Sequence, residues 1–312
     1  MLRWLPPPLV GVLTFILMLA ALLFCFAVFV PVALLKLATP SLAGRAWWTR
    51  VALEPICSGW WWGLNRFIYL LLHGPRRDIV IDGGLDRSKS WLLVCNHQSW
   101  ADIPLLVDIL GRQLPFPRFF LKRQLLWVPV IGFVCWAMDM PFMKRHSKAD
   151  VAANPALRLQ DLEATRAACD KNRRIPMAMV TFVEGTRSTE AKRAARGSPY
   201  RHLLRPKAAG LSFTLNAMGE RFAGVVDVTL SYAPSDYGPL GSFLCGDQRD
   251  IRVRVRVLPV PRELIGGDYQ EDAAFRERFQ LWINGIWERK DRELDQLAGL
   301  PAGAAAHNSG TG

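Results

Sequence analysis

No charged side chain occurs between Arg3 and Lys36, and the stretch from Leu9 to Leu35 is almost wholly apolar. About 20 such residues suffice to cross a bilayer as a helix. A secretory signal peptide carries an apolar region of only about 7–15 residues, so this longer run reads as a retained membrane anchor. Pro31 lacks a backbone N–H and can kink or end a helix. That leaves a second arrangement open: two shorter membrane-embedded helices, the second drawn from the tryptophan-rich segment Trp47 to Leu72. Either arrangement keeps the chain on a lipid bilayer. Lys36, Arg45, Arg50, Arg66, Arg76 and Arg77 follow the run and only Arg3 precedes it. The positive-inside bias then puts the rest of the chain in the cytoplasm, at a bacterial-type inner (plasma) membrane or its equivalent.

The remaining length is enough for one sizeable domain. A net charge of +12 beside 51% hydrophobic residues and 12 tryptophans suits a membrane surface better than a nucleic acid, because anionic headgroups attract Lys and Arg while Trp prefers the interface. No nucleic-acid partner is expected. The six cysteines, Cys25, Cys57, Cys95, Cys135, Cys169 and Cys245, include no Cys-x-x-Cys pair. This argues against a zinc site or disulfide framework and for reduced thiols, most of them in the core; no metal ligands are assigned.

Beyond the membrane segment, apolar runs alternate with plausible helices, which predicts an α/β domain. Strands are expected at Asp78–Asp82, Trp91–Cys95, Arg118–Leu121, Pro141–Met143, Met177–Val183, Val225–Tyr232 and Ile251–Val257, and helices at Ala101–Leu110, Pro155–Cys169, Ala208–Met218 and Asp272–Leu297. In the last strand Arg252, Arg254 and Arg256 alternate with Val253, Val255 and Val257, one basic face and one apolar face, which reads as a solvated edge strand. From Gly299 small and polar residues dominate and disorder is expected. The resulting division is a membrane segment over 1–75, an α/β domain over 76–298 and a tail over 299–312.

Four patches fall at strand ends or the turns after them. Asn96-His97-Gln98-Ser99-Trp100-Ala101-Asp102 puts a carboxylate five residues after an imidazole, where a strand gives way to a helix. In that arrangement Asp102 holds one tautomer of His97 and leaves the other nitrogen to take a proton from a substrate hydroxyl. The pair alone is a weak signal, since short motifs recur by chance. Lys122 and Arg123 precede an apolar segment ending at Gly132, and Pro141-Phe142-Met143-Lys144-Arg145 forms a third patch. The fourth is Phe182-Val183-Glu184-Gly185-Thr186-Arg187-Ser188. A turn at Gly185 lets backbone N–H groups approach an anion, with hydroxyls from Thr186 and Ser188 and a guanidinium fork from Arg187. Glu184 is read as orienting Arg187 or Arg145. Ser99 lacks the setting of a nucleophile elbow and is read as a local hydrogen bonder; Cys95 is read as a buried strand residue.

In this order and with these separations, the patches resemble the glycerophospholipid acyltransferase family, whose best-known members are the 1-acylglycerol-3-phosphate acyltransferases. The resemblance spans about Trp91 to Thr229 and the N-terminal membrane segment. Lys122 matches a family lysine before Leu-x-x-x-Pro-x-x-Gly, and Arg205-Pro206-Lys207 with Gly210 is similar to a later basic segment. The resemblance implies a glycerolipid acyltransferase-like α/β domain, with a mixed sheet and surrounding helices, preceded by an N-terminal membrane-embedded helical segment. It implies His97 as general base, Asp102 as its orienting carboxylate, and Lys122, Arg145 and Glu184, Gly185, Thr186 and Arg187 around the acceptor phosphate. Asn96, Ser188 and Lys207 support them. Acyl-CoA or acyl carrier protein (acyl-ACP) is the implied donor, a lysophospholipid the acceptor, and no cofactor is required. Val183 stands where many members carry proline and Gln124 where many carry glutamate, and the fourth family motif is represented only by Val225 to Thr229. These departures, with Arg205-Pro206-Lys207, resemble the branch that includes lysophosphatidylinositol and lysocardiolipin acyltransferases. The acceptor therefore stays open between 1-acylglycerol 3-phosphate and a lysophospholipid with a larger head. A non-catalytic membrane adaptor and a lipid hydrolase are the rival classes.

Overall fold

A computed structural model of the chain describes residues 5–72, 77–119, 121–140, 142–143, 175–233, 237–246 and 251–299. The apolar run forms one helix, α1 (Pro7–Ala38), which passes through Pro31 without ending there and stops before Pro40. The returning segment is helical from α2 (Leu42–Trp48) through α3 (Glu54–Gly59) to α4 (Arg66–Leu72), joined by π-helical turns at Thr49–Leu53 and Trp60–Asn65. It runs antiparallel to α1: Leu53 packs with Phe29 and Ala33, while Ile68 packs with Val10 and Ala21. By length and composition α1 is long and apolar enough to cross a membrane, and Leu9, Phe15, Ile16, Leu23 and Phe24 are exposed along it.

Six strands form the main sheet among the described residues. They are β1 (Arg77–Asp82), β2 (Ser90–Cys95), β3 (Pro117–Phe119), β6 (Ala178–Phe182), β7 (Phe222–Tyr232) and β8 (Ile251–Leu258), in the order β1-β8-β7-β2-β6-β3. All neighbours are parallel except β7 and β8, so the sheet is mixed. β4 (Leu121–Lys122) and β5 (Phe142–Met143) pair separately. Every residue of β2 is buried because both faces of the strand are covered. Leu92 and Val94 face a core built with α8 (Ala208–Met218) and α10 (Ala273–Leu297), whose Leu211, Leu215, Phe279, Ile283 and Trp287 carry the helical apolar spacing. Trp91, Leu93 and Cys95 face the opposite core, with Leu105, Leu106 and Leu110 of α5 (Asp102–Leu110). The Asp272 carboxylate caps α10 by accepting from the Phe275 N–H at 2.9 Å. Shorter helices lie at α6 (Ile131–Ala137), α7 (Glu190–Ala195) and α9 (Gly238–Cys245).

Two expectations are corrected here. The arginine-rich strand β8 is not an edge, because β1 pairs along its outer side from Arg77↔Ile251 to Asp82↔Arg256. Its basic face is satisfied by partners: Arg254 meets Asp78 at 2.6 Å, and Arg256 meets Glu293 of α10. Among the described cysteines Cys95 alone is buried; Cys25, Cys57, Cys135 and Cys245 are half-buried. The expected helix Pro155–Cys169, Pro141 and the tail beyond Gly299 lie outside the described residues.

The α/β body holds α1 at both ends. Near its start Gly11 meets Cys245 of α9 so closely that an added Cβ would lie 2.8 Å from the sulfur. Near its end Phe26 and Phe29 sit edge-on to Phe133 of α6, and the buried Lys36 ammonium meets Asp139 at 2.5 Å. The two attachments are about 37 Å apart at 1.5 Å per residue, so α1 lies along the body rather than standing clear of it. α3 is fastened by the fully buried Arg118, which donates to Glu54 at 2.8 Å.

β7 and α10 are locked by another buried pair. Lys290 Nζ donates to Asp227 at 2.5 Å and to the Val228 carbonyl at 2.6 Å, and both side chains are fully buried. Lys290→Met leaves the Asp227 carboxylate buried without its cation, a loss of about 3–5 kcal/mol. The expected fall in thermal midpoint of detergent-purified protein is roughly 6–15 °C, and Lys290→Met with Asp227→Leu is expected to recover most of it.

Candidate active site

β2 ends at Cys95, and the chain turns through residues 96–101 into α5. The side-chain amide of Asn96, fully buried, acts as a strand continuation. Its Nδ2 donates to the Leu230 carbonyl at 2.9 Å and its Oδ1 accepts from the Leu230 N–H at 2.8 Å. This fixes where His97 begins. The His97 N–H donates to Glu184 Oε1 at 3.0 Å, and the His97 carbonyl accepts from the Ser188 N–H at 2.7 Å, so the loop is gripped through the peptide groups before and after the His97 Cα.

His97 Nδ1 lies 2.7 Å from Asp102 Oδ2. That same oxygen accepts from the N–H groups of Gln98 at 2.7 Å and Ser99 at 2.9 Å, and Oδ1 accepts from the Tyr232 hydroxyl at 2.6 Å. An ionised carboxylate only accepts, so Nδ1 carries the hydrogen and Nε2 keeps its lone pair. The imidazole is 15% exposed while the carboxylate has no exposed surface, which leaves Nε2 as the edge that can meet a substrate. Phe182 stacks on the ring with centroids 4.2 Å apart at 22°. Ser99 Oγ accepts from the Ala101 N–H at 3.1 Å, a local contact.

The turn after β6 sits against this loop. Gly185 has φ +68°, and a Cβ there would come 3.2 Å from Cδ of Lys207. Its own N–H donates to Phe182 at 3.0 Å, so Gly185 supplies room for Lys207 rather than a donor for an anion. Thr186 Oγ1 accepts from Lys192 Nζ at 3.1 Å, and the exposed Arg187 guanidinium lies 5.1 Å above the exposed Trp100 ring. Ser188 Oγ donates to the His202 carbonyl at 3.1 Å.

The reading of Glu184 as an anion contact or a partner of Arg187 is corrected. The residue has no exposed surface, and its second oxygen accepts from the Leu204 N–H at 3.0 Å. It ties the His97 loop to the segment before α8. Burial pushes its carboxyl up to about 7, against the two backbone N–H groups and Lys290, which favour the charged form. Around His97 the structure thus gathers Asn96, Asp102, Glu184, Gly185, Ser188 and Lys207, with Thr186 and Arg187 on the same turn. For Lys122 the backbone in β4 is described, and Arg145 lies outside the described residues. Tyr232 and Phe182 complete the site from β7 and β6; Phe182 opens the fourth sequence patch without a role of its own assigned there, and no local pattern marks the Tyr232 hydroxyl. Among the described residues, no group of three or more His, Cys, Asp or Glu is placed to hold a metal ion.

A model of the acyltransferase family matches residues 79–233, the span that contains β2, the His97 loop and the turn after β6. The 1-acyl-sn-glycerol-3-phosphate acyltransferase epsilon of Mus musculus is 25% identical over 249 residues, covering 72% of this chain and 62% of its own. The gamma enzyme of Homo sapiens is 28% identical over 180 residues, covering 54% and 43%. The chain therefore matches less than two thirds of the length of either relative. A crystal structure of the 1-acyl-sn-glycerophosphate acyltransferase of Thermotoga maritima aligns over 91% of this chain and 98% of that one, at 16% identity and a TM-score of 0.49, too distant a likeness to carry residue roles.

Glu184→Gln sets an amide NH₂ against one of two backbone donors. The expected loss is about 1–3 kcal/mol, read as a lower thermal midpoint. Because the folded carboxyl keeps its proton up to about 7 and the unfolded one releases it near 4.5, its contribution to stability is present at low pH and lost as pH rises through that window. The midpoint of the variant is expected to vary less with pH there than that of the wild type.

Proposed function

We propose that the protein transfers a fatty acyl group from acyl-CoA or acyl-ACP to the free hydroxyl of a lysophospholipid, with 1-acylglycerol 3-phosphate as the leading acceptor and phosphatidic acid as product. The observation that carries this reading is the 2.7 Å contact of His97 Nδ1 with a fully buried Asp102, which turns Nε2 outward beside the Arg187 turn. His97 Nε2 takes the proton of the acceptor hydroxyl as its oxygen attacks the thioester carbonyl. The new C–O bond forms, the C–S bond breaks, and the imidazolium returns its proton to the departing thiolate. Asp102 stabilises the imidazolium while it exists. No acyl-enzyme is needed. Arg187, over Trp100 of the loop, and Lys207, against Gly185 of the neighbouring turn, are assigned to the acceptor phosphate together with Thr186; Lys122 and Arg145 are proposed to join them.

The names of the relatives support 1-acylglycerol 3-phosphate as acceptor. The Arg205-Pro206-Lys207 segment favours the second reading, a lysophospholipid with a larger head such as lysophosphatidylinositol, lysophosphatidylglycerol or lysocardiolipin. α1 and the helices antiparallel to it are proposed to seat the enzyme on the cytoplasmic face of a membrane. Acceptor and product then stay in the lipid, and the carrier arrives from the water.

The test is transfer of labelled acyl chains from acyl-CoA, or from acyl-ACP, to each of these lysolipids by detergent-purified protein. His97→Ala is expected to lower turnover about 10²- to 10⁴-fold while the protein stays bound to vesicles. Arg187→Ala is expected to raise the KM for the acceptor about 10- to 100-fold, the share of one charge-assisted hydrogen bond. Transfer that ignores His97, or release of free fatty acid without an acceptor, would refute the assignment. Lipid binding with no transfer at all would point to the adaptor.

A further inference from the structure

The mechanism above makes no use of the Tyr232 hydroxyl, which donates to Asp102 Oδ1 at 2.6 Å. Tyr232 is the last residue of β7, two positions beyond Leu230, whose N–H and carbonyl hold Asn96. Leu230 acts through its backbone and Tyr232 through its side chain, so the end of β7 grips the His97 loop at Asn96 before the histidine and at Asp102 after it. The first grip places backbone. The second acts on the carboxylate that faces the imidazole.

We propose that Tyr232 is a positioning residue of the acyl transfer, which sets through Asp102 how firmly His97 holds the proton taken from the acceptor hydroxyl; this rests on the reading of His97 as the base. A base that holds a proton too firmly is already occupied at neutral pH, and one that holds it too weakly fails to take it. Each hydrogen bond to a carboxylate draws on the charge it can offer a neighbouring imidazolium. Three donors share Oδ2, the imidazole among them, and Tyr232 is the donor on Oδ1. Without the hydroxyl, more of the carboxylate charge falls on the imidazolium, and His97 stays protonated to a higher pH.

The other ionisable groups around His97 come from every element packed on it. Glu184 approaches from the turn after β6, Lys207 lies against Gly185 of the same turn, Cys95 comes from β2, the Asp227–Lys290 pair from β7 and α10, and Arg187 lies over Trp100 beside the loop. Tyr232→Phe alters none of these, so it isolates the hydroxyl. A purely structural tie would lower turnover at every pH alike.

The test uses full-length protein in detergent, with imidazole ¹⁵N shifts following the titration of His97 in the wild type, in Tyr232→Phe, and with 3-fluorotyrosine, a more acidic donor, at position 232. In Tyr232→Phe the midpoint is expected to rise by about 0.5–1 pH unit, roughly half of what one charge-assisted hydrogen bond is worth, because the effect reaches His97 only through Asp102; fluorotyrosine is expected to lower it. The acid limb of the turnover profile should move with the midpoint while the high-pH plateau is retained. The fluorinated protein keeps the ring and the hydroxyl, so it decides the matter even where Tyr232→Phe folds poorly. A midpoint unmoved in both, beside an active His97-dependent wild type, overturns the role of Tyr232 alone. A wild type whose transfer ignores His97→Ala overturns the base reading, and this role with it.

Discussion

A carboxylate with no exposed surface is costly unless its lone pairs are met, and Asp102 meets that demand with donors from two distant parts of the chain. Two are N–H groups of its own loop, one is the imidazole and one is the hydroxyl at the end of β7. The loop between β2 and α5 takes its shape from this requirement, because the Gln98 and Ser99 N–H groups must both point back at the residue that opens the helix. An acidic residue in the first turn also suits the positive end of the helix dipole. Once the carboxylate is satisfied, the imidazole has one orientation in which Nδ1 completes the set.

A second carboxylate secures the same loop from behind. Glu184 bridges the N–H groups of His97 and Leu204, so the main chain on which the imidazole hangs is fixed independently of the side chain. A third, Asp227, lies deeper in β7 and is paired with Lys290. The layering is physically economical. The pair joins α10 to the strand whose end holds Asn96 and Asp102, so the long C-terminal helix supports the loop from the far side of the sheet.

Much of this was legible in the sequence where the signal is local. The buried runs of β2, β6 and β7 and the apolar spacing of Ala208–Met218 and of Phe275, Phe279 and Ile283 point to elements that the structure contains. The five-residue spacing of His97 and Asp102 points to a pair that the structure brings into contact. Partners set by long-range pairing were not legible. Alternating arginines on β8 look like a solvated edge because the strand that covers it, β1, lies more than 170 residues earlier in the pairing Ile79↔Val253. Glu184 reads as an orienting partner for a neighbouring arginine, yet its two oxygens are taken by the N–H groups of residues 97 and 204. Gly185 looks like an anion-binding glycine, and its N–H is taken by its own turn. The hydroxyl of Tyr232 reaches Asp102 across 130 positions, a separation at which no spacing rule operates.

The Phe182 ring stacked on His97 restricts more than orientation. An imidazole that turned over about its Cβ–Cγ bond would leave Asp102 and slide edge-first against that aromatic face, so the stack and the Asp102 contact together oppose any exchange of its two nitrogens. Any proton that enters through Nε2 must also depart through Nε2. If His97 is the base proposed above, the oxygen that gives up the proton and the sulfur that receives it have to visit the same point in turn. Under the proposed transfer the site has a single proton port, which the attacking oxygen and the departing sulfur, both bonded to one tetrahedral carbon, must reach in turn.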